Sequence, residues 1–281
     1  MTHSPTRAKF RKQLTNNALS VLTLLLAFLI FFPILWMVLT SFKTEADAFS
    51  FPPKIFFLPT FENWQNALQN SPYTEHLVNT LIITLFCTLA ALLLGFPAAY
   101  SLAFYPGKRA DGTLMWMMGT RMLPPVGVIV PLYALFKSLG IFDTHLGLIL
   151  IYTAINLPLV IWMLRSFMLD LPFETMEAAR MDGATLLQEL WLVVLPLCLP
   201  GLVATVLLCL IFTWNEFFLA FNLTVTKAAP LSVYITSFKT SEGLFWAKMS
   251  AAATLTVAPV ILAGWVAQNQ LVRGLTAGAI K

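Results

Sequence analysis

Six stretches of this chain are each long and apolar enough to cross a lipid bilayer as a helix, near residues 18–42, 77–104, 113–136, 146–167, 197–222 and 249–271. Crossing the hydrocarbon takes about 20 apolar residues in helical form. Lipid offers a bare backbone no hydrogen-bond partner, so a spanning segment must satisfy its own amides. The fold class that follows is all-α: a polytopic membrane protein with about six transmembrane helices. Composition points the same way, with 58% hydrophobic and 11% charged residues. Soluble domains carry roughly a quarter charged residues. The net charge of +4 needs no nucleic-acid partner, because lysines and arginines beside membrane spans produce the same sum.

The first apolar run follows Arg7, Lys9, Arg11 and Lys12 and extends from about Ala18 to Phe42. That is too long for a secretory signal, and no small-residue cleavage site follows it. It reads as a retained span that tolerates Pro33. The third run is the least regular. Arg121 and Pro124-Pro125 interrupt it, and a kink or an unwound stretch is expected there. Residues 1–17 form an N-terminal tail, 18–271 a six-helix transmembrane domain and 272–281 a C-terminal tail. The Lys108-Arg109 pair in a short loop places that loop inside, and with it both termini in the cytoplasm.

Two outer loops are long, at about 43–76 and 223–248. In the first, Thr60 is placed to cap a short helix with Glu62 in its first turn. Phe61, Trp64 and Leu68 then share a face suited to the headgroup level. Cys87, Cys198 and Cys209 lie in or beside apolar runs and read as small apolar fillers. His3, His76 and His145 are scattered, and no spacing suggests a metal site.

The inner loop at about 168–196 says most about function. Asp170-Leu-Pro-Phe-Glu174 opens a short helix, with Pro172 near its start and acids at its positive end. Gly183 can take the left-handed backbone that ends it. A second helical stretch runs from Thr185 to about Val194, before Leu195-Pro196. Ala178 and Ala179 leave a shallow side open to close approach, and Glu177 and Asp182 offer carboxylates to a basic partner. An ordinary amphipathic connector with its acids in water fits the same residues.

Glu177-Ala-Ala-Arg-Met-Asp-Gly-Ala184, followed by Leu195-Pro-Leu-Cys-Leu-Pro200, resembles the EAA loop of binding-protein-dependent ABC importers in letters and spacing. Phe31-Pro-Ile-Leu-Trp36, Thr40-Ser-Phe-Lys43, Trp214-Asn-Glu-Phe217 and Val272-Arg-Gly-Leu-Thr-Ala-Gly-Ala-Ile-Lys281 are similar to the sugar branch, that of the maltose transporter's smaller permease. Residues 115–127 and 241–248 resemble mannitol and sorbitol permeases within that branch.

The resemblance implies one permease of a heterodimer in the bacterial inner membrane. It implies a second permease beside it, two ATP-binding subunits below and a periplasmic solute-binding protein outside. ATP and Mg belong to the ATP-binding subunits, and the chain itself binds no cofactor. Glu177, Ala178, Ala179, Asp182, Gly183 and Ala184 would dock into the ATPase, with the tail from Arg273 to Lys281 reaching it too. Ser241, Glu242 and Gly243 would face the solute-binding protein. The chain has no G-x-x-x-x-G-K-[ST] phosphate loop, and no catalytic or metal-ligating set stands out.

Arg121, Trp214, Asn215 and Glu216 are polar or amphipathic groups placed inside spans. A charge there costs about 2.5–3.5 kcal/mol, so it should face protein or a wet cavity. These residues line a translocation pathway or bond helices together. The rival reading is an ion-coupled secondary transporter using Glu216 and Arg121 at the midplane.

Overall fold

The computed structural model describes residues 5–240, 243–266 and 268. The helices are α1 (Pro5–Ser41), α2 (Glu45–Ala48), α3 (Glu62–Gln69), α4 (Tyr73–Phe104), α5 (Ala110–Arg121), α6 (Pro125–Ser138) and α7 (His145–Leu169). They continue with α8 (Phe173–Met181), α9 (Leu186–Gln188), a π-helical segment (Glu189–Val194), α10 (Leu195–Leu197), α11 (Leu199–Trp214), α12 (Phe218–Leu223), α13 (Leu231–Tyr234) and α14 (Trp246–Val266). A two-residue antiparallel pairing of Lys239–Thr240 with Gly243–Leu244 is the one β element among the described residues.

Four helices cross-qualify as single spans, and two bent pairs bring the number to as many as six. Two compact units can be distinguished. One contains the chain up to Asn70 with Phe238–Thr254, the other Ser71–Ser237 with the chain from Leu255.

In the first unit, α1 runs unbroken through Pro33. Its leucines and phenylalanines from Leu19 to Phe32 are exposed, as a lipid-facing helix requires. The chain after α1 is pinned by α3. Asn63 Nδ2 donates to the carbonyls of Ser41 and Lys43 at 3.0 and 2.7 Å, and Trp64 Nε1 donates to Ser41 Oγ at 3.2 Å. Trp64 also stacks on Phe42, 5.3 Å between centroids. This corrects the shared interfacial face: Phe61 and Leu68 are exposed, but Trp64 turns inward because its indole N–H has a partner there. Thr60 Oγ1 accepts from the Glu62 amide at 3.2 Å, although the N-cap position itself falls on Phe61. The Glu45 carboxylate accepts from the amides of Ala247 and Lys248 at 3.1 and 3.0 Å. An anion is favoured at that helix start.

In the second unit, α4 packs along α7. Gly95 makes the close approach possible, since a Cβ there would sit 2.6 Å from Val160 Cγ1. Ala91, Phe96, Val160, Leu164 and Met168 form the core of this contact. Cys87, Cys198 and Cys209 are buried and free. The third span breaks at Met122–Pro124, and α5 and α6 meet at 86°. Pro124 and Pro125 cannot continue the α5 ladder. The fifth span departs from expectation. Leu186–Leu197 meets Leu199–Trp214 at 80°, and α11 stops at Trp214 instead of running to 222. Asn215–Phe217 separate it from α12.

The connection between α6 and α7 is organised by Asp143, which adopts φ +55°. Its carboxylate accepts from four successive amides, those of Val225, Thr226, Lys227 and Ala228, at 3.0–3.2 Å. Asn79 Nδ2 donates to the carbonyls of Lys227 and Ala229, both at 3.1 Å. His145 Nε2 lies 2.6 Å from Asn79 Oδ1. The ends of α4, α7 and α12 are thereby tied to one loop.

Burial opposes the charge on Asp143, but the four amides outweigh it and hold the carboxyl below its ordinary range. A depressed folded value means the stabilisation is complete above the unfolded value of about 4 and is lost as pH falls below it. Asp143→Asn should therefore lower thermal stability at pH 7 by at least ~1 kcal/mol. The gap between variant and wild type in detergent melts should close as pH is taken toward ~3.

Candidate functional site

The loop after α7 forms as the residue pattern requires. Pro172 has extended backbone (ψ 120°) and precedes α8, with Glu174 in the first turn. Met176 is fully buried among Tyr100, Leu164, Met168, Leu190 and Val194 and anchors the helix to α4, α7 and the π-helical segment. The opposite side is open: Glu177, Ala178, Asp182 and Gly183 are exposed, and Ala179 and Ala184 are half-buried. Gly183 has φ +85°. Its amide donates to Arg180 O, and that of Ala184 to Ala179 O, both at 3.0 Å. This pair of bonds is the Schellman ending, which a residue with a Cβ resists at positive φ.

A capping box then restarts the chain. Thr185 Oγ1 accepts from the Gln188 amide, and Gln188 Oε1 accepts from that of Thr185 at 2.8 Å. The expected second helix from Thr185 to Val194 is a short α turn followed by a π-helix.

Several features of this loop were not legible from composition. Arg180 forms a two-pronged ion pair with Glu189, Nε to Oε2 at 2.7 Å and Nη2 to Oε1 at 2.8 Å, and the Glu189 side chain is fully buried. Met181 is 88% exposed, and it stands one turn from Glu177 on α8. Leu186 and Leu187 are exposed as well.

The polar groups assigned to the fifth span have divergent roles. Trp214 is buried, and its Nε1 donates to Thr256 O at 3.2 Å. Asn215 is exposed in the break, with Nδ2 donating to Ile211 O. Glu216 is not inside a helix, which corrects its placement in the span. It caps α12: Oε1 accepts from the Leu219 amide at 3.0 Å and Oε2 from that of Ala220 at 3.2 Å. Tyr152 of α7 donates its hydroxyl to Oε2 at 2.6 Å, and Ser232 donates to Glu216 O at 2.8 Å. The carboxylate is thus bonded from two helices, α7 and α12, and the backbone carbonyl of the same residue from α13.

Arg121 ends α5, and its guanidinium lies 4.7 Å over the Phe212 ring of α11. Its Nη1 is buried without a hydrogen-bond partner. With Thr120, Pro125, Ile151 and Leu219 it lines a cavity of about 270 Å³. The ion pairs among the described residues are Lys54–Asp47, Arg165–Asp111 and Arg180–Glu189, so Arg121 and Glu216 are not joined in one. Gly243 pairs with Thr240. Ser241, Glu242, Arg273 and Lys281 lie outside the described residues.

Residues 91–276, which contain the α8 loop, the bent fifth span and α14, match the family described as "Binding-protein-dependent transport system inner membrane component". The chain belongs to this family. Among these permeases it is 34% identical over 261 residues to the trehalose transport system permease protein SugB of Mycobacterium tuberculosis, covering 89% of this chain and 92% of that one. It is 30% identical over 276 residues to the trehalose/maltose transport system permease protein MalG of Thermococcus litoralis, covering 96% and 99%. A crystal structure of a bacterial ABC transporter involved in the import of the acidic polysaccharide alginate shares the fold, with TM-score 0.76 at 24% identity over 96% of this chain and 99% of that one.

Gly183→Val should leave membrane insertion intact and speed hydrogen exchange of the Gly183 and Ala184 amides, because valine strains the left-handed turn by roughly 1–2 kcal/mol. Wild-type exchange would show that the turn geometry tolerates a β-branched residue.

Proposed function

We propose that this permease is one half of the membrane channel of an ATP-driven sugar importer in the bacterial inner membrane, with both termini in the cytoplasm. A second permease completes the channel, two ATP-binding subunits hydrolyse ATP with Mg below it, and a periplasmic solute-binding protein delivers the solute from above. The observation that carries this reading is the α8 loop: a helix anchored on one side by Met176 and open on the other, where it presents Glu177, Ala178 and Met181. A carboxylate beside small side chains and one long apolar side chain suits a groove with a basic group and an apolar floor. Asp182, Gly183 and Ala184 form the turn that sets the angle of that helix. The tail from Arg273 to Lys281 is a second contact to the ATP-binding subunits in this proposal, and the loop containing Ser241, Glu242 and Gly243 a contact to the solute-binding protein.

In the pathway, Arg121 and Asn215 face the solute, and Trp214 and Glu216 frame the break between α11 and α12. A guanidinium with an unbonded Nη1 and an exposed carboxamide can both bond hydroxyls. The solute class we infer is a small carbohydrate, supported by the names of the trehalose and maltose relatives. The narrower assignment, mannitol or sorbitol, rests on residues 115–127 and 241–248. The family leaves the ion-coupled alternative without support.

Glu177→Lys in the complete transporter should leave the protein inserted while ATP hydrolysis no longer drives uptake of radiolabelled trehalose, maltose, mannitol or sorbitol. We expect at least ~10-fold less uptake for whichever of these the wild type accumulates. Undiminished uptake would refute docking through Glu177, and wild-type uptake of none of the four would refute the solute class.

A further inference from the structure

The E-A-A-x-x-D-G-A pattern leaves the position of Arg180 open, and nothing in it specifies Glu189 nine residues on. Yet the structure joins these two side chains by the most complete ion pair among the described residues. Both prongs are short, at 2.7 and 2.8 Å, and both carboxylate oxygens are used. The guanidinium is flanked by Tyr105 at the end of α4 and by Phe173 of α8, at 5.2 and 5.7 Å from the ring centroids. A fork-to-fork pair fixes direction as well as distance.

Met176 and Arg180 are four residues apart and so lie on one face of α8. The residues they meet, Glu189 for Arg180 and the cluster of Leu190 and Val194 for Met176, belong to the π-helical segment. The helix is therefore attached to this segment at two points, one apolar and one ionic. A single contact permits rotation; two contacts a turn apart do not. From Val194 the chain continues through α10 and an 80° bend into α11. Near its far end α11 carries Phe212, which lies against Arg121, and then Trp214.

We infer that the Arg180–Glu189 pair is the strut that makes α8 and the segment leading into α11 a single lever, so that a push on the exposed face of α8 displaces the break at Asn215–Phe217. Arg180 and Glu189 are positioning residues that touch neither solute nor nucleotide. The inference rests on the proposed docking of α8, and its test separates the two.

In the isolated full-length permease in lipid nanodiscs, hydrogen exchange of amides 186–194 reads the strut without any partner. Arg180→Lys keeps the charge but loses the fork, so the buried Glu189 still has a cationic partner. It should raise exchange there about 10-fold, as should Arg180→Ala, and the exchanged pair Arg180→Glu with Glu189→Arg should restore most of the protection. In the complete transporter in proteoliposomes, Arg180→Lys should retain the ATP-binding subunits and hydrolyse ATP. Uptake of radiolabelled trehalose, maltose or mannitol per ATP should fall ~10-fold and recover in the exchanged pair. Unchanged exchange in both single variants overturns the strut. Raised exchange with undiminished uptake per ATP overturns the lever. Failure of the wild-type permease to retain ATP-binding subunits through α8 would refute the docking proposal, with the exchange measurement still deciding the strut.

Discussion

Lipid has no donors or acceptors, so every place where a spanning helix of this protein stops must be healed by the protein itself. Within the fifth span the structure meets that demand with the carboxylate of Glu216, and two further carboxylates act in the same way in connections outside the spans. Glu216 receives two amides and a tyrosine hydroxyl at the start of α12. Asp143 receives four amides between α12 and α13. Glu45 receives two at the start of α14. An ionised carboxylate is an acceptor only, with two oxygens and several lone pairs, so one side chain can satisfy several neighbouring N–H groups. At Glu216 a carboxylate inside an apolar run becomes the means by which a helix can be broken there.

Broken helices are what allow this fold to be more than a bundle. The 86° bend between α5 and α6 brings Arg121 to a cavity between helices, and the stop after Trp214 exposes Asn215. The 80° bend at Cys198 turns the fifth span away from the segment that holds α8. A straight helix would carry the α8 loop and the break along one axis. The bend separates the two ends of the fifth span, one beside the α8 loop and one at the break after Trp214.

Much of the α8 loop could be read from its residues. Gly183 is a glycine where a helix must end before another begins, and it takes the left-handed conformation. Pro124-Pro125 marked the break in the third span because proline removes a donor and clashes with the preceding turn. The outcome at Trp64 and Glu216 was less accessible. Trp64 belongs by periodicity to an interfacial face, but Ser41, 23 residues earlier, captures its N–H. Glu216 reads as a charge inside an apolar run, because the end of α11 at Trp214 has no proline or glycine to announce it. The Arg180–Glu189 pair depends on a π-helical turn, which no local residue preference signals.

Taken alone, then, the order of residues determined the solvent, the class of fold, the apolar stretches from which crossings are built and the position of the acidic, alanine-rich loop. Each of these follows from local length, apolarity and backbone preference, which a linear chain carries without reference to its neighbours. Only the tertiary structure decided which polar groups are spent on holding helices and which remain open. Glu216 and Trp214 are bonded by residues 64 and 42 positions away, whereas Arg121 keeps an unbonded nitrogen beside a cavity. Hydrogen-bond demand is local, but its satisfaction is settled by whichever atoms packing brings within about 3 Å.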